Sequence, residues 1–438
     1  MSTHFLVLPR WIVPIEPAGA LLEDHAVVIK DGRIASILPA ARATAEFAAL
    51  ERVELKEHAL IPGLVNAHTH AAMSLMRGLA DDLPLMPWLK DHIWPAEMKH
   101  VSTRFVRDGT LLACAEMLRG GTTCFNDMYF FPDAAIEAVL AARMRAALGV
   151  IVIEFPSAYA SDPSDYLKKG LALRDNFKSD RLLSFCLAPH APYTVSDETF
   201  RKVSRLAGEL DIPVHVHLHE TVEETERSVA EHSVRPLERL RKLGLLGPQL
   251  ISVHSVHLDR SEIDLLGHHG CSIAHCPSSN LKLASGFAPI AALAAAGANI
   301  ALGTDGAASN NRLDMFQETR QAALLAKAVA RDASALPAGD ALRAATLGGA
   351  QALGLSDRIG SIVPGKDADL VAVRLTGPEL QPIYDVVSHL VYSAGREHVD
   401  FVWVRGEMLL NRRELAGSAF SGLDARLELW QNALIGSP

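Results

Sequence analysis

One alternation constrains this chain more than any other feature. Eight short apolar runs (ALIPGLVNAH, GTTCFNDM, RAALGVIVIEF, LLSFCLAPH, IPVHVHLHE, LISVHSVHL, CSIAHCPSS and NIALGTDG) are separated by stretches of helical spacing. RFVRDGTLLACAEMLRG and ETVEETERSVAEHSVRPLERLRKLG show the helical idiom, with apolar residues every three or four positions and charges between them. Strands alternating with helices over roughly 300 residues predict a (β/α)8 barrel of the TIM type. The competitor is a doubly wound open sheet, but no GxGxxG or P-loop follows the early strands.

The two ends of the chain read differently. HAVVIKDGRIASILPA is an apolar run, an Asp-Gly turn and a second run, the strongest short-range hairpin signal. DADLVAVRL and HVDFVWVRGEMLL repeat the idiom near the C-terminus. Neither end can close a core alone, so both are expected to build one small β-sandwich domain. The division predicted is 1–58 for its first part, 59–362 for the barrel, and 363–438 for its second part plus a terminal helix.

Polar residues fall where barrel strands end. His68 and His70 close the first run, His190 the fourth, His217 to Glu220 the fifth, and Asp305 the eighth, while His254 and His257 lie on the sixth. In a barrel these ends converge on one mouth. Strand periodicity puts His68 and His70 on one face, within reach of a single ion. A lone His-x-His pair says little, because a chain with 19 histidines contains roughly one by chance. Each histidine alone is more often a hydrogen-bonded core residue than a ligand, and Asp305 could equally be a turn residue. Joint placement at one mouth favours a metal site. Three imidazoles and a carboxylate suit Zn²⁺. His215, His217 and His219 share one strand face, and spacing does not choose among them. No lysine stands at the end of the third or fourth strand to bridge a second metal, so one ion is expected.

Composition narrows the partners. The net charge of −9, with no basic run, argues against nucleic acid. Five cysteines (Cys114, Cys124, Cys186, Cys271 and Cys276) without a CxxC pair argue against a thiolate zinc finger and fit a reducing compartment. No basic n-region precedes an apolar stretch, and every apolar run is broken short of a membrane span, so a cytoplasmic protein without membrane attachment is expected.

PGLVNAHTH, the His-x-x-Glu of HLHE, the histidine of VHSVH, HCPSSNLKLASG and GTDGAASNN together resemble the amidohydrolase superfamily over essentially the whole chain. The nearest branch comprises deaminases and chlorohydrolases of nitrogen heterocycles. The resemblance implies His217 as the third metal ligand beside His68, His70 and Asp305, with Zn²⁺ the expected ion and Fe²⁺ the alternative. It also implies catalytic roles for Glu220, His254 and Asp305.

HTHAAMSLMRGLADDLPLMPWLKDHIWPAE narrows the resemblance to the 5'-methylthioadenosine/S-adenosylhomocysteine deaminases. That likeness implies that Trp88 and Glu97 contact a nucleoside, Glu97 through the ribose hydroxyls, and that His190 of LAPHAPYTVSD contacts the adenine ring. An aromatic wall and a carboxylate facing a cis-diol are chemically apt. Relatives that use S-adenosylhomocysteine well carry arginines after the third strand. GVIVIEFPSAYASDPSDYLKKG has none, only Lys168 and Lys169, so methylthioadenosine or adenosine is favoured.

The implied reaction is attack of activated water on C6. Glu220 relays a proton to N1, His254 orients the nucleophile, and Asp305 passes the water proton to departing ammonia. His257 is expected to be structural. The partner is a small nucleoside, and the resemblance is compatible with a homo-oligomer. The rival readings are a guanine or cytosine deaminase, a triazine hydrolase, a two-metal cyclic-amide hydrolase, or an inactive barrel used for binding.

Overall fold

The computed structural model describes residues 4–435. Eight strands form one parallel sheet in sequential order. They are β1 (Leu64–Thr69), β2 (Thr122–Asp127), β3 (Arg145–Val152), β4 (Leu183–Pro189), β5 (Val214–Leu218), β6 (Leu250–His254), β7 (Ser272–His275) and β8 (Asn299–Leu302). Each falls inside one of the eight apolar runs, except that β1 extends one residue past its run to Thr69, and helices fill the gaps, so the predicted barrel is the fold.

The seam between β8 and β1 is closed by side chains and by the loop after β8. Asn66 accepts from Thr304 N at 3.0 Å and donates to Thr304 Oγ1 at 2.7 Å, while Asp305 N donates to His68 O at 3.0 Å. A Cβ at Gly303 would sit 2.9 Å from His68 Cβ and N, so the two chains approach this closely only because residue 303 is glycine. The seam therefore fixes Asp305 against His68 before any ligand is considered.

Strand β5, VHVHL, shows how sequence sets the faces. Val214, Val216 and Leu218 join the main apolar core, and His215 and His217 take the opposite face beside His68. At His219 the expected shared face ends. The strand stops at Leu218, φ at His219 is +56°, and its ring turns away to face Glu262 Oε1 at 3.2 Å.

Both termini build one nine-stranded mixed sheet. Residues Glu51–Pro62 pair with Phe5–Ile12 on one side and Leu370–Arg374 on the other, which joins the N- and C-terminal parts. The strand continues to Pro62, so residues 59–62 lie in this sheet and the barrel begins after Gly63. Asp31 and Gly32 have φ of +54° and +75°, as a two-residue hairpin turn requires. The rings of Phe5 and Trp403 lie 6.3 Å apart although two strands separate theirs. A flat sheet would hold them at least about 14 Å apart, so this one curls around its own core in the manner of a sandwich.

Two contacts bind the parts together. Arg145, at the start of β3, is buried against Asp367 and Asp369 of the small domain. The terminal helix Leu423–Ile435 packs on the barrel helix Thr103–Arg119, where buried Asp108 accepts from Arg426 Nη1 and Trp430 Nε1, both at 3.0 Å. All five cysteines are buried and unpaired. No helix among the described residues is long and apolar enough to cross a membrane.

Candidate metal centre

The ends of β1, β5 and β8 bring four donors to one point. One ligand atom each from His68, His70, His217 and Asp305 lies within 4.8 Å of the others. His68 Nε2 stands 3.1 Å and His70 Nε2 3.3 Å from Asp305 Oδ1.

Each imidazole is oriented from behind. His70 Nδ1 donates to Met128 O at 2.6 Å and His217 Nδ1 to His190 O at 2.7 Å, which leaves both Nε2 lone pairs for an ion. His68 Nδ1 bonds His215 Nε2 at 2.9 Å, so His215 lies below the donor set and supports it. Asp305 Oδ2 accepts from Ser279 Oγ at 2.6 Å and Ser309 Oγ at 2.8 Å, and Oδ1 from Gly306 N at 2.8 Å.

Protonation states match a metal site. Burial lowers His68 to about 4 and takes His217 well below the usual range, with neighbouring imidazoles adding to the effect. Neutral imidazoles are the ligating form. Burial alone would raise Asp305, but its hydrogen bond to His68 and the nearby imidazoles carry it well below the ordinary carboxylate range. Three imidazole nitrogens and one carboxylate oxygen fit Zn²⁺.

Glu220 and His254 stand beside this set. His254 closes β6 in a left-handed conformation (φ +71°), as does Asp305 after β8 (φ +61°), an arrangement uncommon outside glycine. His254 Nδ1 bonds Asn280 Oδ1 at 2.8 Å, and its Nε2 lies 3.7 Å from Glu220 Oε2. Burial raises Glu220 to about 7, with His254 opposing. His257 bonds Ser285 O at 2.7 Å and takes no part in the donor set.

Three of the donors, His70, His217 and Asp305, line a cavity of about 460 Å³, which Trp88, Glu97, His190, Glu220 and His254 also line. Trp88 is buried and comes with Glu97 from the segment that crosses the mouth after β1. His190 Nδ1 bonds Thr194 Oγ1 at 2.9 Å, leaving Nε2 as its other polar atom. Phe130, Phe155 and Tyr159 add aromatic wall. Lys168 and Lys169 are absent from the lining. Lys169 pairs with Asp165 at 2.8 Å and donates to Tyr159 O at 2.7 Å. No arginine lines the cavity among the described residues, and its one lysine is exposed Lys90 at the rim.

Sequence reasoning named His215 only as one of three undecided histidines, and missed Ser279, Asn280, Ser309 and Tyr129. The first three of these were visible only as parts of motifs. Tyr129 stands two residues past the end of β2, and that position was the available signal.

The amidohydrolase family model matches residues 59–409. The chain is 47% identical to a 5-methylthioadenosine/S-adenosylhomocysteine deaminase of Saccharophagus degradans over 97% of this chain and 96% of that one. A protein of the same name from Teredinibacter turnerae is also 47% identical, over 97% and 96%. Among solved structures, an adenosine deaminase from Xanthomonas campestris with bound zinc superposes with a TM-score of 0.97 at 52% identity, covering 99% of this chain and 98% of that one.

Proposed function

The chain belongs to the amidohydrolase family, and we propose that it hydrolyses the 6-amino group of an adenine nucleoside, 5'-methylthioadenosine or adenosine, to the inosine analogue and ammonia. The observation that carries this reading is one cavity with two chemistries. Its floor carries His70, His217 and Asp305 of the four-donor set with Glu220 and His254, and its wall carries Trp88, Glu97 and His190. Relatives named as deaminases of such nucleosides support it.

His68, His70, His217 and Asp305 hold the metal in this reading. Zinc in such a site lowers the pKa of bound water to about 7 and so supplies a nucleophile at neutral pH. Glu220, which burial brings to about 7, is suited to give a proton to N1 and make C6 electrophilic. His254, with Nδ1 committed to Asn280, turns Nε2 toward Glu220 and the reacting centre. Asp305 takes one water proton and returns it to the amino group. C6 gains the oxygen, the C6–N bond breaks, ammonia leaves, and the proton remaining on that oxygen returns to Glu220, which restores the acid that protonated N1.

Among the described residues no arginine lines the cavity wall to hold an amino-acid tail, which favours uncharged 5' groups over S-adenosylhomocysteine. A panel of methylthioadenosine, adenosine, S-adenosylhomocysteine, guanine and cytosine, followed by ammonia release, tests the reading. Turnover of the first two is expected. Release from free bases alone would overturn it in favour of another heterocycle hydrolase.

A further inference from the structure

Glu97 is held from the barrel. Tyr129 Oη donates to Glu97 Oε1 at 2.7 Å, and among the described residues it is the one donor to that carboxylate. The two side chains come from different elements, Tyr129 from the loop after β2 and Glu97 from the helix Trp94–His100 over the mouth. Both line the cavity, and Tyr129 is only 5% exposed. A glutamate on a short helix has three side-chain torsions to fix. One charge-assisted hydrogen bond from a buried phenol removes most of that freedom.

The neighbour of Tyr129 makes the geometry more telling. Met128 N donates to Thr69 O at 3.0 Å, and Met128 O accepts from His70 Nδ1 at 2.6 Å. Adjacent residues of one pinned loop thus hold a metal ligand through a carbonyl and a cavity-wall carboxylate through a phenol. The distance between reacting centre and carboxylate is set by that single residue step.

We propose that Tyr129 is a positioning residue for sugar recognition, holding Glu97 so that its remaining lone pairs meet the 2'- and 3'-hydroxyls when C6 of the base lies over the metal centre. This rests on the functional reading above. A carboxylate has about four acceptor sites, and the phenol occupies one. Tyr129 therefore fixes orientation and leaves capacity for a diol.

The test compares kcat/KM for adenosine and 2',3'-dideoxyadenosine in the wild type, Tyr129→Phe and Glu97→Ala. The ratio between two substrates of one preparation does not depend on the fraction of folded or metal-loaded enzyme. Tyr129→Phe keeps the ring packing and is expected to lower the adenosine-to-dideoxyadenosine ratio about tenfold, chiefly through a higher KM for adenosine. Glu97→Ala is expected to lower it further. A Tyr129→Phe ratio within twofold of wild type, with Glu97→Ala lowering it, overturns the inference while leaving the functional reading intact. A wild type that releases no ammonia from any adenine nucleoside overturns both.

Discussion

Ser279 Oγ donates to Oδ2 of Asp305 across 2.6 Å, which turns the other carboxylate oxygen toward His68 and His70. Loss of this bond frees the carboxylate to rotate about its last torsion. Ser309, in the helical turn that follows Asp305, holds the same oxygen, so one hydroxyl remains in Ser279→Ala. Removing a group that orients a metal ligand costs about 10–100-fold in affinity. Ser279→Ala is expected at the low end of that range and the double variant with Ser309→Ala at the high end. Competition with a zinc chelator measures it, and unchanged affinity in the double variant would contradict the role.

Glu220→Gln tests the division of labour within the cavity. Glu220 is not one of the four donors, so metal content should stay at the wild-type level. Glutamine cannot deliver a proton to N1, and turnover should fall by about 10²–10⁴-fold. Metal analysis and single-turnover kinetics on one preparation separate the two effects. Loss of metal, or activity within tenfold of wild type, would count against the assignment.

The parts of this arrangement that sequence could reveal are those with a local signature. Alternating strand and helix patterns located all eight barrel strands, and polar residues at strand ends located the mouth. The pattern VHVHL did not separate His215 from His217, because period two states the face and not the height. The two histidines are one pleat apart, about 6–7 Å along the strand. The lower ring supports His68, and the upper one reaches the cavity. His219 shows the opposite limit, since alternation predicts its face only while the strand continues. Ser279 and Tyr129 were illegible for another reason. Their partners lie 26 and 32 residues away, and a serine or tyrosine carries no mark of which distant carboxylate it meets.

Glu97 gives the pH dependence a definite sign. Burial raises its carboxyl to about 7 from an ordinary value of 4.5, and the Tyr129 bond offsets this only in part. Above that value it is a carboxylate, the form that in the proposed reading accepts from both sugar hydroxyls, and below it is an acid with one oxygen committed as a donor. The KM for adenosine should therefore rise as pH falls through about 7, by up to about tenfold per unit. Metal-site protonation acts on every substrate alike, so the ratio to 2',3'-dideoxyadenosine isolates Glu97. A ratio flat from pH 8 to 6 would mean that this carboxylate does not bind the sugar in its charged form.

Arg145 carries the stability of the join between barrel and small domain. It is 1% exposed, and its guanidinium reaches Asp369 at 2.9 Å, Asp367 at 3.0 Å and Arg181 O at 2.9 Å. Asp369 keeps Arg405 N at 2.9 Å and Asp367 keeps Arg358 at 3.2 Å when Arg145 is removed, but both carboxylates are buried, Asp369 loses its two-point fork and Asp367 loses one bond. Breaking a buried charge network by deleting one partner costs about 3–5 kcal/mol, and the remaining bonds place Arg145→Ala near about 3 kcal/mol. Arg145→Lys keeps the charge without the planar fork and should fall between. Arg145 starts β3 at the end of the barrel opposite the metal donors, so kcat per folded molecule should not change. Denaturant unfolding alongside active-site titration separates the two quantities. A loss below about 1 kcal/mol would show that the remaining arginines satisfy both aspartates without it.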